Sequence, residues 1–175
     1  MTGQRQPIFL VGPMGAGKTT VGRQLARLLH KAFIDLDAEI EARSGADIPW
    51  IFDVEGEEGF RKRETNMLAE LATKQDVIIA TGGGVVLNPD NRNVMSSSGL
   101  IVYLAVPADI LYERTLLDTR RPLLQVENRR EVIDELVTRR DPLYREVADI
   151  IFTSENNSPT TAAEKLKLLI QQTGE

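Results

Sequence analysis

The sequence predicts an α/β fold with a central parallel sheet that helices cover on both faces. One observation is a set of short apolar runs, at Ile8–Val11, Ala32–Asp35, Val77–Ala80, Leu100–Ala105 and 150–152. The other is that segments with helical spacing of their apolar residues separate these runs. Short apolar strands that alternate with helices are typical of a parallel sheet, because each crossover places a helix on one face of it.

Two helices are predicted most clearly from the spacing of their apolar residues. In the first, apolar residues recur with helical spacing just after the first strand, at Val21, Leu25, Leu28 and Leu29. In the second, late in the chain, they recur at Val132, Ile133, Leu136 and Val137. This spacing places each set on one face of a helix, which is then expected to pack on the sheet.

Two segments fit this alternation poorly. The segment at about 39–63 is charged and contains three glycines, and the segment at about 118–128 is polar and contains Pro122. We expect both to be mobile excursions from the sheet, of the kind that enzymes use as lids.

Length and composition indicate one globular domain over residues 1–175. Of its 175 residues, 42% are apolar and 27% are charged, which is ordinary for a globular protein. The net charge of −5 disfavours general nucleic-acid binding, which depends on basic residues. Cysteine is absent and His30 is the only histidine, which excludes disulfides, thiol catalysis and a histidine–cysteine zinc site. No apolar run approaches the length of about 20 residues that spans a bilayer.

The strongest motif is a phosphate-binding loop between the first strand and the first helix. Residues 12–19 read Gly-Pro-Met-Gly-Ala-Gly-Lys-Thr and fit G-x-x-x-x-G-K-[ST]. Glycines let successive backbone N–H groups converge on one phosphate, and the helix N-terminus adds its dipole. Lys18 is expected to reach the β- and γ-phosphates, and the Thr19 hydroxyl to bind Mg²⁺. The motif alone does not choose between a kinase, a hydrolase and a switch.

Two aspartates close the second strand, in the order Phe33-Ile-Asp35-Leu-Asp37. Alternate residues of an extended chain face the same side, so both carboxylates are expected to face the phosphate site. One could hold Mg²⁺, directly or through water, and the other could accept the proton of a substrate hydroxyl. The alternative is that one of them caps the helix that starts near Ala38.

Three consecutive glycines follow Thr81 at the end of the third strand: Gly82, Gly83 and Gly84. Glycine has no Cβ, so a ligand can lie directly on this backbone. The alternative is a flexible turn between a strand and a helix.

Three arginines are candidates for anion binding, because the planar guanidinium binds carboxylates and phosphates bidentately. Arg61 lies in a charged stretch, and the residues alone favour a solvated helix face with Glu57–Arg61 as a favourable pair four residues apart. Arg140 precedes Pro142, and the residues alone favour a surface position before a proline kink. Arg121 lies in the second excursion.

Taken together, these segments resemble the shikimate kinase family over nearly the whole chain. The matching segments are 9–20, 35–37, 45–48, 51–61, 81–84, 121–124 and 140–144. The first contains the loop shared by all P-loop proteins, whereas the others in this order are much more specific. The strongest part is Glu-Gly-Glu-Glu-Gly-Phe-Arg, which ends at Arg61, together with glycines 82–84.

The resemblance implies a three-layer P-loop fold of the nucleoside-monophosphate-kinase type with a five-stranded parallel sheet. The segment at 39–63 would bind the acceptor and the segment at 118–128 would form the lid. The implied reaction is Mg²⁺-dependent transfer of the ATP γ-phosphate to the 3-hydroxyl of shikimate, in aromatic amino-acid biosynthesis. One Mg²⁺ per subunit is expected. The expected partners are shikimate and ATP, without nucleic acid or membrane, for a cytoplasmic monomer.

The resemblance also implies roles for individual residues. Arg61 and Arg140 would bind the shikimate carboxylate, and Asp37 would hold the reacting hydroxyl as the candidate base. Thr19 would bind Mg²⁺ with Asp35 near it, and the shikimate ring would lie on Gly82, Gly83 and Gly84. ATP would be bound by Gly15, Ala16, Gly17, Lys18, Thr19, Thr20, Arg121 and Asn157. The expected catalytic residues are Lys18, Asp37 and Arg121.

Two other functions stay open on the sequence alone. Another small-molecule kinase, acting on gluconate or a nucleoside monophosphate, would share the phosphate loop, but it would need a different acceptor site. A module that binds ATP and regulates a partner would not need to retain Lys18, Thr19, Asp35 and Asp37. Turnover with shikimate distinguishes both from the main interpretation.

Overall fold

A five-stranded parallel sheet forms the centre of the computed structural model, which describes residues 5–116, 124, 126–154 and 157–174. The strands pair in the order β2-β3-β1-β4-β5, and every pairing is parallel. The predicted five-stranded sheet is therefore confirmed, with the last strand one residue longer than expected. The strands are β1 (Ile8–Val11), β2 (Ala32–Asp35), β3 (Val77–Ala80), β4 (Leu100–Ala105) and β5 (Ile150–Thr153).

Within the described residues, six helices and one 3₁₀ turn lie between these strands, and a seventh helix follows the last strand. The 3₁₀ turn, Val85–Leu87, follows the triple glycine. No helix in this part of the chain is both long enough and apolar enough to cross a membrane. The helices are α1 (Lys18–Leu29), α2 (Leu36–Ser44), α3 (Ile48–Leu71), α4 (Pro89–Ser98), α5 (Ala108–Thr115), α6 (Arg129–Val147) and α7 (Pro159–Thr173).

Helices cover both faces of the sheet, as the alternation of strands and helices predicts. On β1, Ile8 and Leu10 pack into one apolar cluster, to which α1 and α7 contribute, whereas Phe9 and Val11 pack into a second cluster with α2, α3 and α4. Successive side chains of a strand point to opposite faces, so one buried strand serves two layers of helices. The three-layer architecture is confirmed.

The predicted excursion at 39–63 is helical. It comprises most of α2 and the first part of α3, which begins where the Asp47 side chain accepts a hydrogen bond from the Trp50 N–H at 2.9 Å. The α3 axis breaks at Gly56, with φ 73° and ψ 178°, a conformation that glycine adopts without strain. Closure of this segment over an acceptor stays a prediction. Most of the second excursion, with Arg121, lies outside the described residues.

The sheet order brings three chain segments to one edge. The strands β2, β3 and β1 are neighbours, and their carboxyl ends lead to Asp35, to the triple glycine and to the phosphate loop. Ligands of open parallel sheets bind beyond the carboxyl ends of the strands. The fold therefore places the predicted site residues of these three segments side by side.

Candidate active site

The phosphate loop curls between β1 and α1. Gly15 and Gly17 adopt φ values of 81° and 94°, in the left-handed region that glycine tolerates. No side chain caps α1 at Gly17, so the first N–H groups of the helix face the loop, where an anion can accept from them. The buried Lys18 donates from Nζ to the carbonyl oxygens of Gly12 and, at 3.1 Å, Pro13.

One cavity, of about 410 Å³, lies against the outer side of this loop. Its far wall comes from α5 and from the connection between β5 and α7, including Arg114 and Asn157. Arg114 Nη1 donates to the carbonyl oxygen of Gly15 at 3.0 Å. The cavity brings together the predicted ATP-binding residues that the structure describes, namely Gly15, Ala16, Gly17, Lys18, Thr19, Thr20 and Asn157.

A second cavity, of about 300 Å³, lies on the other side of Lys18 and Thr19. Asp35, Asp37 and Gly82 line it together with those two residues. Lys18 and Thr19 therefore stand between the two cavities. A phosphate bound at the loop would lie next to the aspartate-lined space.

Asp35 has two roles at the end of β2. Its Oδ2 accepts a hydrogen bond from the Thr19 hydroxyl at 2.8 Å, and its Oδ1 accepts one from the Ala38 N–H at 3.1 Å. The helix-cap alternative therefore describes Asp35. The extended chain expected through Asp37 is wrong, because α2 begins at Leu36, yet both aspartates line the smaller cavity. Thr19 and Asp35 present oxygen ligands side by side, and oxygen is the ligand that Mg²⁺ prefers.

The triple glycine packs against four charged side chains. A Cβ on Gly82 would lie 3.1 Å from Asp37 Oδ1 and 3.1 Å from Glu64 Oε2, and one on Gly84 would lie 2.6 Å from Cζ of Arg61. The backbone of these glycines approaches the charges more closely than a larger residue allows. A side chain at Gly84 would displace the Arg61 guanidinium and one at Gly82 would crowd two carboxylates, so these glycines leave room for charged groups close to the backbone.

Arg140 is 4% exposed, so the surface position favoured by the residues alone is wrong. Its Nη1 lies against Gly83, 3.4 Å from where a Cβ would stand. Arg61 forms the predicted pair with Glu57 at 3.3 Å, and it also donates to the buried Glu64 at 2.9 Å. The Nε atoms of both arginines are buried without a hydrogen-bond partner within the described residues. Such donors cost about 1–3 kcal/mol each unless a ligand accepts from them.

Comparison with known proteins establishes the family of this chain. A family model described as shikimate kinase matches residues 14–171. The chain belongs to the shikimate kinase family. Proteins of this family are ATP-dependent kinases that phosphorylate a hydroxyl of shikimate.

Several shikimate kinases match this chain over nearly its whole length. The shikimate kinase of Histophilus somni is 53% identical over 168 residues, which are 95% of this chain and 96% of that protein. That of Shewanella denitrificans is 52% identical over 171 residues, 98% of each chain. A solved structure of shikimate kinase from Acinetobacter baumannii in complex with shikimate has a TM-score of 0.94 and 48% identity. The match covers 96% of this chain and 94% of the Acinetobacter baumannii chain.

Sequence reasoning missed Glu64, a buried carboxylate that lies close to Gly82. Glu64 is 0% exposed, and its Oε2 is buried without a hydrogen-bond partner within the described residues. Its position does carry a signal, because it falls within an apolar stripe of helical spacing formed by Phe60, Met67, Leu68 and Leu71. A carboxylate in such a stripe is expected to be buried. Arg114, which lines the larger cavity, was also missed, and it has no comparable signal.

The pKa of Glu64 leads to a prediction for stability. Burial raises the pKa of this carboxyl above its ordinary value, against the opposing effect of Arg61. The folded protein then binds the proton more tightly than the unfolded chain, so this contribution to the free energy of unfolding decreases as the pH rises through the raised pKa. Glu64→Gln cannot titrate. We expect the variant to gain stability relative to the unsubstituted protein as the pH rises above the ordinary pKa of a glutamate.

Thermal unfolding of both proteins, measured from the ordinary pKa of glutamate upwards, determines the effect. Glu58→Gln is the matched control, since it makes the same change on the same helix at a side chain that is 88% exposed. The unfolding temperature of this control should change with pH in the same way as that of the unsubstituted protein. The prediction would be contradicted if the difference in unfolding temperature between Glu64→Gln and the unsubstituted protein stayed constant, or if the variant became relatively less stable, as the pH rises.

Proposed function

We propose that this protein catalyses Mg²⁺-dependent transfer of the γ-phosphate of ATP to the 3-hydroxyl of shikimate, giving shikimate 3-phosphate and ADP. The supporting observation is that Lys18 and Thr19 separate a phosphate-loop cavity from a cavity lined by Asp37. A donor phosphate and an acceptor hydroxyl can therefore meet across these two residues. Family membership and the shikimate-bound relative support shikimate as the acceptor.

ATP would occupy the larger cavity. Backbone N–H groups of the loop would bind its phosphates, and the Lys18 ammonium would move from the carbonyl oxygens of Gly12 and Pro13 to the β- and γ-phosphates. Asn157 and Arg114 line the same cavity and would lie towards the nucleoside. Arg121 would contribute a further positive charge from the lid. It lies outside the described residues, so that role stays a prediction.

The Thr19 hydroxyl and the Asp35 carboxylate would hold Mg²⁺, directly or through water. Two oxygen ligands fit this ion, which commonly takes few protein ligands and completes its shell with phosphate oxygens and water. When bound, it supplies positive charge that offsets the charge of the transferring phosphoryl group.

The acceptor would lie between Asp37 and the two arginines, Arg61 and Arg140. Arg61 and Arg140 would bind the single carboxylate of shikimate, which gives their buried Nε donors an acceptor. The ring would lie on the bare backbone of Gly82, Gly83 and Gly84. This arrangement fixes the hydroxyl beside Asp37 before reaction, which is how positioning lowers the barrier.

Asp37 would accept the proton of the 3-hydroxyl as its oxygen attacks the γ-phosphorus. The bond between the γ-phosphorus and the β–γ bridging oxygen breaks, and ADP leaves with that oxygen. Lys18 would neutralise charge on the transferring group and on ADP. Water must be excluded at this stage, since it would otherwise take the phosphoryl group, and closure of the two excursions would achieve this.

Release of ADP by the purified full-length protein, with ATP and Mg²⁺, tests this function. Shikimate is first omitted and then added, with quinate, gluconate and nucleoside monophosphates as parallel acceptors. We expect strong release that depends on shikimate. If ADP release depended on another acceptor instead, the assignment of shikimate as the acceptor would be wrong, but the kinase activity would stand. If the protein bound ATP without any turnover, it would be a non-catalytic module. A single domain stays an expectation from length and composition, and a monomeric state and a cytoplasmic location stay expectations from the resemblance.

A further inference from the structure

Tyr144 is a buried side chain behind the candidate acceptor site that the proposed reaction does not use. It lies on α6 one turn after Arg140, so the two side chains share one face of the helix. Tyr144 is fully buried, and its hydroxyl donates to the carbonyl oxygen of Gly83. Helix α6 thus contacts Gly83 at two points, through the Tyr144 hydroxyl and through the Arg140 guanidinium.

This hydrogen bond differs from the others that the triple glycine accepts. The carbonyl oxygen of Gly82 accepts from the Val85 N–H at 3.2 Å, and that of Gly84 accepts from the Leu87 N–H at 3.1 Å. Both bonds are local to the turn. The bond from Tyr144 to the middle carbonyl comes from a residue 61 positions away, and it ties the turn to α6.

The Tyr144 ring is itself held in place. It stacks on the Tyr103 ring, with 4.9 Å between centroids and 30° between planes. The Tyr103 hydroxyl donates to Asp141 at 2.6 Å, which fixes that ring in turn. Burial raises the pKa of Tyr144 to about 12, so the phenol keeps its proton and can donate throughout the neutral range.

We propose that Tyr144 is a positioning residue for the acceptor. Its hydroxyl holds the Gly83 carbonyl in place and so keeps the glycine backbone at a fixed position relative to the Arg140 guanidinium. The peptide unit is planar, so holding this carbonyl also fixes the direction of the Gly84 N–H. Without the bond, the Gly83 carbonyl is left to reorient, and the surface under the acceptor ring shifts relative to Arg140. The proposal rests on the function proposed above.

Tyr144→Phe tests this role, because it removes only the hydroxyl and keeps the stacked ring. We expect KM for shikimate to rise about fivefold, as a net loss of roughly 1 kcal/mol from one hydrogen bond predicts. KM for ATP should change by less than about twofold. A merely structural role would instead lower the activity without separating the two substrates. Equal losses for both substrates, or an unchanged KM for shikimate, would overturn the proposal.

Two further variants keep the test decisive. Tyr103→Phe removes a hydroxyl bond to Asp141 from the neighbouring ring but keeps the ring stack, so KM for shikimate should rise less than in Tyr144→Phe and KM for ATP should stay within about twofold. Replacing Tyr144 by 4-aminophenylalanine keeps the ring and restores a donor at the same place, so KM for shikimate should return to near its starting value. Failure of this rescue would overturn the proposal even if Tyr144→Phe does not fold. Shikimate-independent ADP release by the unsubstituted protein would instead overturn the proposed function itself.

Discussion

Asp37→Asn is expected to lower kcat for shikimate phosphorylation by about 10²- to 10⁴-fold, the usual contribution of a positioned proton acceptor. Asparagine has nearly the same shape as aspartate and can still hydrogen-bond to the 3-hydroxyl, but it cannot take the proton. Asp37 lies in the first turn of α2, lines the smaller cavity and closely approaches Gly82. Steady-state measurement of ADP release at saturating ATP and shikimate determines this change in kcat.

Asp53→Asn is the matched control for this prediction. It makes the same change of charge at an exposed position in the first part of α3, within the segment expected to bind the acceptor. Its kcat should stay within about twofold of the starting value, because surface substitutions away from special features have small effects. A kcat above one tenth of the original in Asp37→Asn would remove this residue from the proposed chemistry.

Arg140→Ala is expected to raise KM for shikimate by about 30-fold or more while KM for ATP changes by less than about threefold. Removing one partner of a buried charge pair costs about 2–5 kcal/mol, and 1.36 kcal/mol corresponds to a factor of ten. Arg140 is 4% exposed and its guanidinium lies against Gly83, so water could not readily replace the proposed contact with the carboxylate. Initial rates at varied shikimate and at varied ATP separate the two constants.

The neighbouring Arg139 offers a close control for that experiment. Its side chain is 64% exposed and pairs with Glu135 on the surface of the same helix, so Arg139→Ala should leave both constants nearly unchanged. Arg140→Lys keeps the charge and loses the planar fork, and we expect a smaller rise in KM for shikimate than alanine produces. Equal increases of both KM values in Arg140→Ala would argue against a contact with the shikimate carboxylate.

Much of the site could be predicted from the sequence because its parts lie in short local motifs. The phosphate loop needs only glycines at set positions, Lys18 and Thr19 after a strand and before a helix, and the structure has this arrangement. The burial of Arg140 could not be predicted in this way. Its neighbours on α6 include Arg139, Asp141 and Pro142, which are typical of a surface, and only the packing of α6 against Gly83 buries the guanidinium.

The sequence by itself determined the alternation of five strands with helices, the phosphate loop and the residue types that a kinase for a small acid requires. Those features depend on residues close together in the chain, where apolar periodicity and glycine spacing are directly visible. The tertiary structure alone decided that Arg140 is buried and which distant residues meet. Glu64 approaches Gly82, and Tyr144 holds Gly83. These contacts depend on the order of strands in the sheet and on the helix that packs beside it, and no local pattern of residues specifies either.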